Sequence, residues 1–85
     1  MEEQDDLLAV GIAAVTAGLM QRVRPEEVVV ALANHHYRRN GDGSEMEIVP
    51  GLPAISRHTN KNGCSFIVMT TASAEDTIAM LSDEL

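Results

Sequence analysis

Residues 7–20 (LLAVGIAAVTAGLM) carry no charge and a single hydroxyl, and the apolar positions between them run unbroken. The pattern predicts a helix over residues 5–21. At about 100° per residue, Leu8, Ile12, Val15 and Leu19 form one broad stripe, and Leu7, Gly11, Ala14 and Gly18 a narrower one. A helix apolar on every side must be buried on every side. Glycine inside a helix costs about 1 kcal/mol relative to alanine, so the small stripe calls for a compensating close contact. Gly11, Ala14 and Gly18 are therefore candidate positions for an interface with another subunit.

Arg24 precedes a proline, which pushes it out of helical conformation and ends the first helix. Pro25 at the first position and Glu26 and Glu27 in the first turn predict a second helix running to Arg39 and stopping at Asn40-Gly41. Val28, Val29, Leu32 and His36 share one of its faces, and Val30, Ala33 and Tyr37 the other. Two apolar faces again exceed what a small chain can cover, which adds Val30 and Tyr37 to the candidate interface.

The period then changes. Residues 45–49 (EMEIV) alternate as a short strand that Pro50 and Pro53 confine to a sheet edge. Residues 54–59 predict a second strand, 60–63 (NKNG) a turn, and 64–71 a third strand whose apolar run Phe66-Ile67-Val68-Met69 belongs in a sheet interior. Ser73 with Asp76 resembles a capping box, followed by a stripe of Ala74, Ile78, Leu81 and Leu85 on a last helix. The expected fold is one small α+β domain spanning residues 1–85, in the order α-α-β-β-β-α. Its three-stranded antiparallel sheet is packed by helices.

Length and charge narrow the function. A chain of 85 residues buries too small a share of its surface to be robust alone. Cys64 is the only cysteine, so no internal disulfide supplements the core, and a single thiol fits a reducing, cytoplasmic setting. Association is the remaining supplement. The net charge of −7 is uneven: all six Lys and Arg and all three His fall between positions 22 and 61. An acidic chain is a poor partner for nucleic acid, where cation–phosphate contacts dominate affinity. The uncharged run is too short for a membrane span, which takes about 20 residues, and the acids at its start are unlike a signal sequence.

Candidate chemistry is sparse. His35 and His36 are adjacent, so on a helix they diverge by about 100° and do not chelate one metal. His36, placed among Val29 and Leu32, reads as a partly buried core residue. Arg38, Arg39, Arg57 and Lys61 make a possible anion-binding spot if the fold brings them together. Cys64 and His58 suggest a thiolate–imidazole dyad, but a hairpin turn of even length would place them on opposite sheet faces. Residues 41–44 (GDGS) follow a helix and precede a strand, the reverse of a phosphate-cradling loop. No metal, cofactor or catalytic set is expected. The sequence thus points to a protein that works by binding itself or another protein, as a regulatory or accessory subunit. A small anionic-ligand module built on the Arg/Lys cluster is the alternative.

Overall fold

The computed structural model describes residues 12–85. The sheet is built from four strands: β1 (Ile12–Val15), β2 (Ala54–Thr59), β3 (Ser65–Thr70) and β4 (Asp76–Leu81). Their spatial order is β1-β4-β3-β2, with β1 parallel to β4 and the other pairs antiparallel. Two helices, α1 (Ala17–Arg22) and α2 (Pro25–His36), lie between β1 and β2 in sequence. Both pack on one face of the sheet. The molecule is a small α+β domain with a mixed sheet, where three antiparallel strands were expected.

The predicted first helix is the largest departure. Ile12, Ala13, Ala14 and Val15 are a strand, and the helix begins only after Thr16. Thr16 caps it: its Oγ1 accepts a hydrogen bond from the Leu19 N–H at 3.2 Å, while the Thr16 N–H donates to the Ala79 carbonyl at 3.0 Å. An unbroken apolar run is also the signature of a parallel strand, and periodicity does not separate the two. The expected stripe residues Leu7, Leu8 and Gly11 lie outside the described residues.

The predicted last helix is likewise replaced. Its residues 76–81 are β4, an interior strand with Thr77, Ala79, Met80 and Leu81 buried, followed by a single 3-10 turn over Ser82–Glu84. Ser73 lies in the β3–β4 connection and Asp76 opens β4; the Thr71 N–H donates to the Asp76 carbonyl, and Ala74 takes a left-handed φ of 64°. The strand expected at 45–49 does not form: Glu45 makes one bridge to Arg39, and of the rest only Met46 is buried. Strands β2 and β3 fall where their patterns place them. Phe66, Ile67 and Val68 are buried, as an interior strand requires.

Helix α2 starts as predicted, with Pro25 first and the Glu27 carboxylate accepting from the Arg24 N–H at 3.2 Å. It ends earlier than Asn40-Gly41. Arg38 adopts a φ of 63°, and the Arg39 N–H reaches back to the Asn34 carbonyl at 2.7 Å while the Arg38 N–H donates to His35. This is a Schellman termination with arginine in the left-handed position. The chain then docks on the free edge of β2. The Gly41 N–H donates to the Arg57 carbonyl at 2.9 Å, and the Arg57 N–H donates to Asn40 Oδ1 at 2.9 Å. The contact covers an edge that would otherwise offer unpaired backbone groups.

The core lies between the helices and the sheet. Leu19 and Val23 from the first helix and its cap, and Val28 and Ala31 from α2, meet Phe66, Val68, Ala79 and Leu81. On this face the strands also present Ala54, Ser56, His58, Thr70 and Thr77, which share its alternation and are all buried. Five side chains on an otherwise apolar interface are polar once His35 of α2 is included, and they define the candidate site.

Candidate functional site

Helix α2 buries Val28, Ala31 and His35, at spacings of three and four residues. The buried imidazole is therefore His35, not His36, which is half-buried and makes an edge contact with the Tyr37 ring. His35 Nδ1 lies 2.7 Å from Ser56 Oγ, and its Nε2 lies 2.7 Å from Thr70 Oγ1. Ser56 Oγ is also 2.7 Å from His58 Nε2, and Thr70 Oγ1 is 2.9 Å from Thr77 Oγ1. One continuous line of hydrogen bonds runs His58–Ser56–His35–Thr70–Thr77, linking β2, α2, β3 and β4.

Burial lowers the basicity of both imidazoles. His35 is pushed from 6.5 down to about 4, first by desolvation and then by the charges of His58 and His36. Desolvation lowers His58 as well. With both rings neutral at neutral pH, the line has two consistent polarities. If His35 carries its proton on Nδ1 it donates to Ser56, which must donate to His58, while Thr70 donates back to His35. If the proton is on Nε2, every one of these bonds reverses. Either way each polar atom along the line but His58 Nδ1 has a partner, which is the condition for keeping such groups in a core.

A serine hydroxyl between two imidazoles has the composition of an activated nucleophile. Here Ser56 is 0% exposed, so no substrate carbonyl reaches it. The line fastens α2 to the sheet. His58 is its outer end: 6% exposed, stacked on Phe66 at 5.4 Å, and on the wall of a cleft of about 340 Å³ between α2 and the β2 edge. Its Nδ1 lies beside Gly41, where a Cβ would come within 3.1 Å. Among the described residues Nδ1 has no hydrogen-bond partner.

Two further concavities flank this one. A polar cleft of about 740 Å³ is lined by Asn40, Asp42, Ser44, Arg57, Ser65 and Ser82. Hydrogen bonds from the Ser44 hydroxyl and N–H depress the Asp42 carboxyl below its usual range. An apolar groove of about 260 Å³ runs between the helices over Met20, Val23, Val28, Val29 and Leu32. Among the described residues no three His, Cys, Asp or Glu side chains converge as metal ligands. No helix among them is long and apolar enough to cross a membrane.

The residues singled out from sequence fall in separate places. Gly11 lies outside the described residues, and Ala14 is exposed on the edge strand β1. Gly18 faces its own chain, with Glu84 and Leu81 where a Cβ would project. Val30 and Tyr37 stand on the outer face of α2 with Val29 and Ala33, at 59%, 58% and 63% exposure for Val30, Tyr37 and Val29. The Asn40–Arg57 contact brings the Arg39 and Arg57 backbones close together, and Arg38 turns inward with its Nε buried and without a partner among the described residues. Lys61 is at the other end of α2, its N–H facing the Glu27 carboxylate at 3.4 Å. The length of the helix, about 16 Å over the intervening turns, separates it from Arg38 and Arg39.

Cys64 corrects the parity expectation. Thr59 pairs with Ser65, so the β2–β3 connection has an odd length, and Cys64 packs beside the core on the side of His58. The two still form no dyad, because His58 Nε2 is bonded to Ser56. His35, Ser56, Thr70 and Thr77 were not anticipated. Their signal was present: His35 continues the Val28–Ala31 spacing, and the three hydroxyls occupy one parity of their strands.

Against known proteins the chain stands apart: no family model, no curated protein and no solved structure matches it.

Proposed function

We propose that this protein works by association, and that α2 pairs with α2 of a second copy. The observation that supports it is the outer face of α2, where Val29, Val30, Ala33 and Tyr37 form an exposed apolar stripe opposite the buried Val28–Ala31–His35 face. Helices on a protein surface ordinarily turn a polar side outward. The charges at the two ends of the stripe favour a second copy as occupant. Glu26 and Glu27 mark its start, while Arg39 marks its end. In an antiparallel, two-fold pairing the acidic start of each helix meets the basic end of the other, so one patch is complementary to itself. The groove over Met20, Val23 and Val29 adjoins the stripe and offers a recess for a partner side chain.

Light scattering at micromolar concentration should give twice the mass of one chain. Val29→Asp, at a solvent-facing position, should yield a folded monomer. Glu26→Arg and Arg39→Glu should each weaken pairing, and the two together should restore it, since the reversed charges again face each other. A wild-type monomer would refute self-pairing and leave a different protein as the occupant of the stripe. The anion-binding alternative draws its support from Arg57 beside a polar cleft, with Lys61 at the other end of α2 from Arg38 and Arg39.

A further inference from the structure

We infer that the 340 Å³ cleft beside α2 is a binding site for a short aliphatic ammonium ligand. Phe66, Ala31 and Val30 give its lining an apolar part, and polar residues of α2 and β2 share the wall with them. His58, a residue 6% exposed whose Nε2 is already bonded to Ser56, is part of its wall, with Nδ1 beside Gly41, a residue that lines this cleft and the neighbouring polar one alike. Asn34, Glu26 and Glu27 complete the lining, Glu27 with its carboxylate already accepting from the Arg24 and Lys61 N–H groups. A mostly apolar recess of this size, with a few convergent polar groups and a titratable residue of altered basicity, is the usual form of a small-ligand site.

The chemistry selects the ligand. Two carboxylates at the rim disfavour anions. The imidazole lone pair accepts an N–H, and the alkyl body of an amine lies on Phe66 and Ala31. Donation to Nδ1 places the His58 proton on Nε2, which sets the buried line in a single polarity: His58 to Ser56, Ser56 to His35, His35 to Thr70. Occupancy of the cleft is thereby transmitted to the residue that fastens α2. This inference does not rest on self-association, although Glu26 and Val30 border both surfaces.

The test is a titration of the ¹⁵N-labelled protein at pH 7.5 and fixed ionic strength with n-butylamine, set against n-butanol and butyrate. Saturable shifts at Asn34, Gly41 and the His58 ring are expected with the amine, with the His58 nitrogens reporting the Nε2–H tautomer. Butanol should bind about tenfold more weakly and butyrate not at all. Glu26→Gln, at an exposed position that leaves the fold alone, should weaken the amine about threefold. His58→Phe, which keeps the ring stack but removes Nδ1, should weaken it about tenfold. The same shifts should persist in the Val29→Asp variant. Absence of saturation, equal response to butanol or butyrate, an unchanged affinity in Glu26→Gln, or loss of the shifts in Val29→Asp would each overturn the inference.

Discussion

Acidification should loosen this fold through His35 well before its carboxylates are protonated. In the unfolded chain His35 takes up a proton near pH 6.5, while in the folded protein burial holds that event down to about pH 4. Between these values the unfolded state binds more protons, so stability falls as the pH falls. The contribution is absent above pH 6.5 and complete below pH 4. The drop from 6.5 to about 4 corresponds to about 3 kcal/mol in all. By pH 5 the loss should be about 2 kcal/mol, and His58, lowered in the same direction, adds to it. For a chain of this size, with a urea slope of about 1 kcal/mol/M, the midpoint should fall by about 2 M between pH 7.5 and pH 5. Urea unfolding followed by circular dichroism, at one protein concentration to keep any association constant, measures this directly. His35→Leu should flatten the slope, because Ser56 keeps His58 and Thr70 keeps Thr77 as partners. A midpoint that moves by less than about 0.5 M in the wild type would refute the reasoning. So would a His35 ring that titrates at its ordinary value.

Other substitutions probe single contacts. Gly18→Leu should cost on the order of 1–3 kcal/mol, because a Cβ there would lie 2.6 Å from Glu84 Oε2 and 3.3 Å from Leu81 Cδ1. The loss should appear in urea unfolding with the oligomeric mass unchanged, since that contact is internal; a change in mass would return Gly18 to the interface. Ala74→Gly should raise the urea midpoint by an amount equivalent to about 1 kcal/mol, by relieving a left-handed φ of 64° in the β3–β4 turn. A lower midpoint would contradict that assignment. Cys64→Ser should leave association intact by light scattering, because the thiol is free and half-buried beside its own chain's core.

Local chemistry was legible wherever it is self-contained. Pro25 with Glu26 and Glu27 fixes the start of α2. The alternation of residues 54–59 and the apolar run of 66–69 place β2 and β3, because a hairpin pairs neighbours in sequence and needs no distant information. The outward Val30 and Tyr37 also followed from helical spacing alone. Residues 12–15 and 76–81 behaved otherwise. Each is an apolar segment that suits a helix or a strand about equally; β4 pairs antiparallel with β3 beside it, and β1 lies parallel to β4, with Ile12 opposite Asp76 and Val15 opposite Ala79. For β1 the choice depends on a partner some sixty residues away, so residues 12–15 do not reveal it by themselves. The buried line was hidden for a related reason. A shift of one residue in the helical phase exchanges His36 for His35, and the phase was set by the sheet that α2 packs against. Ser56, Thr70 and Thr77 are unremarkable in their own strands; only the stacking of three strands under one helix turns Ser56 and Thr70 into partners for one imidazole and Thr77 into a partner for Thr70, in a core where an unpaired hydroxyl would be costly.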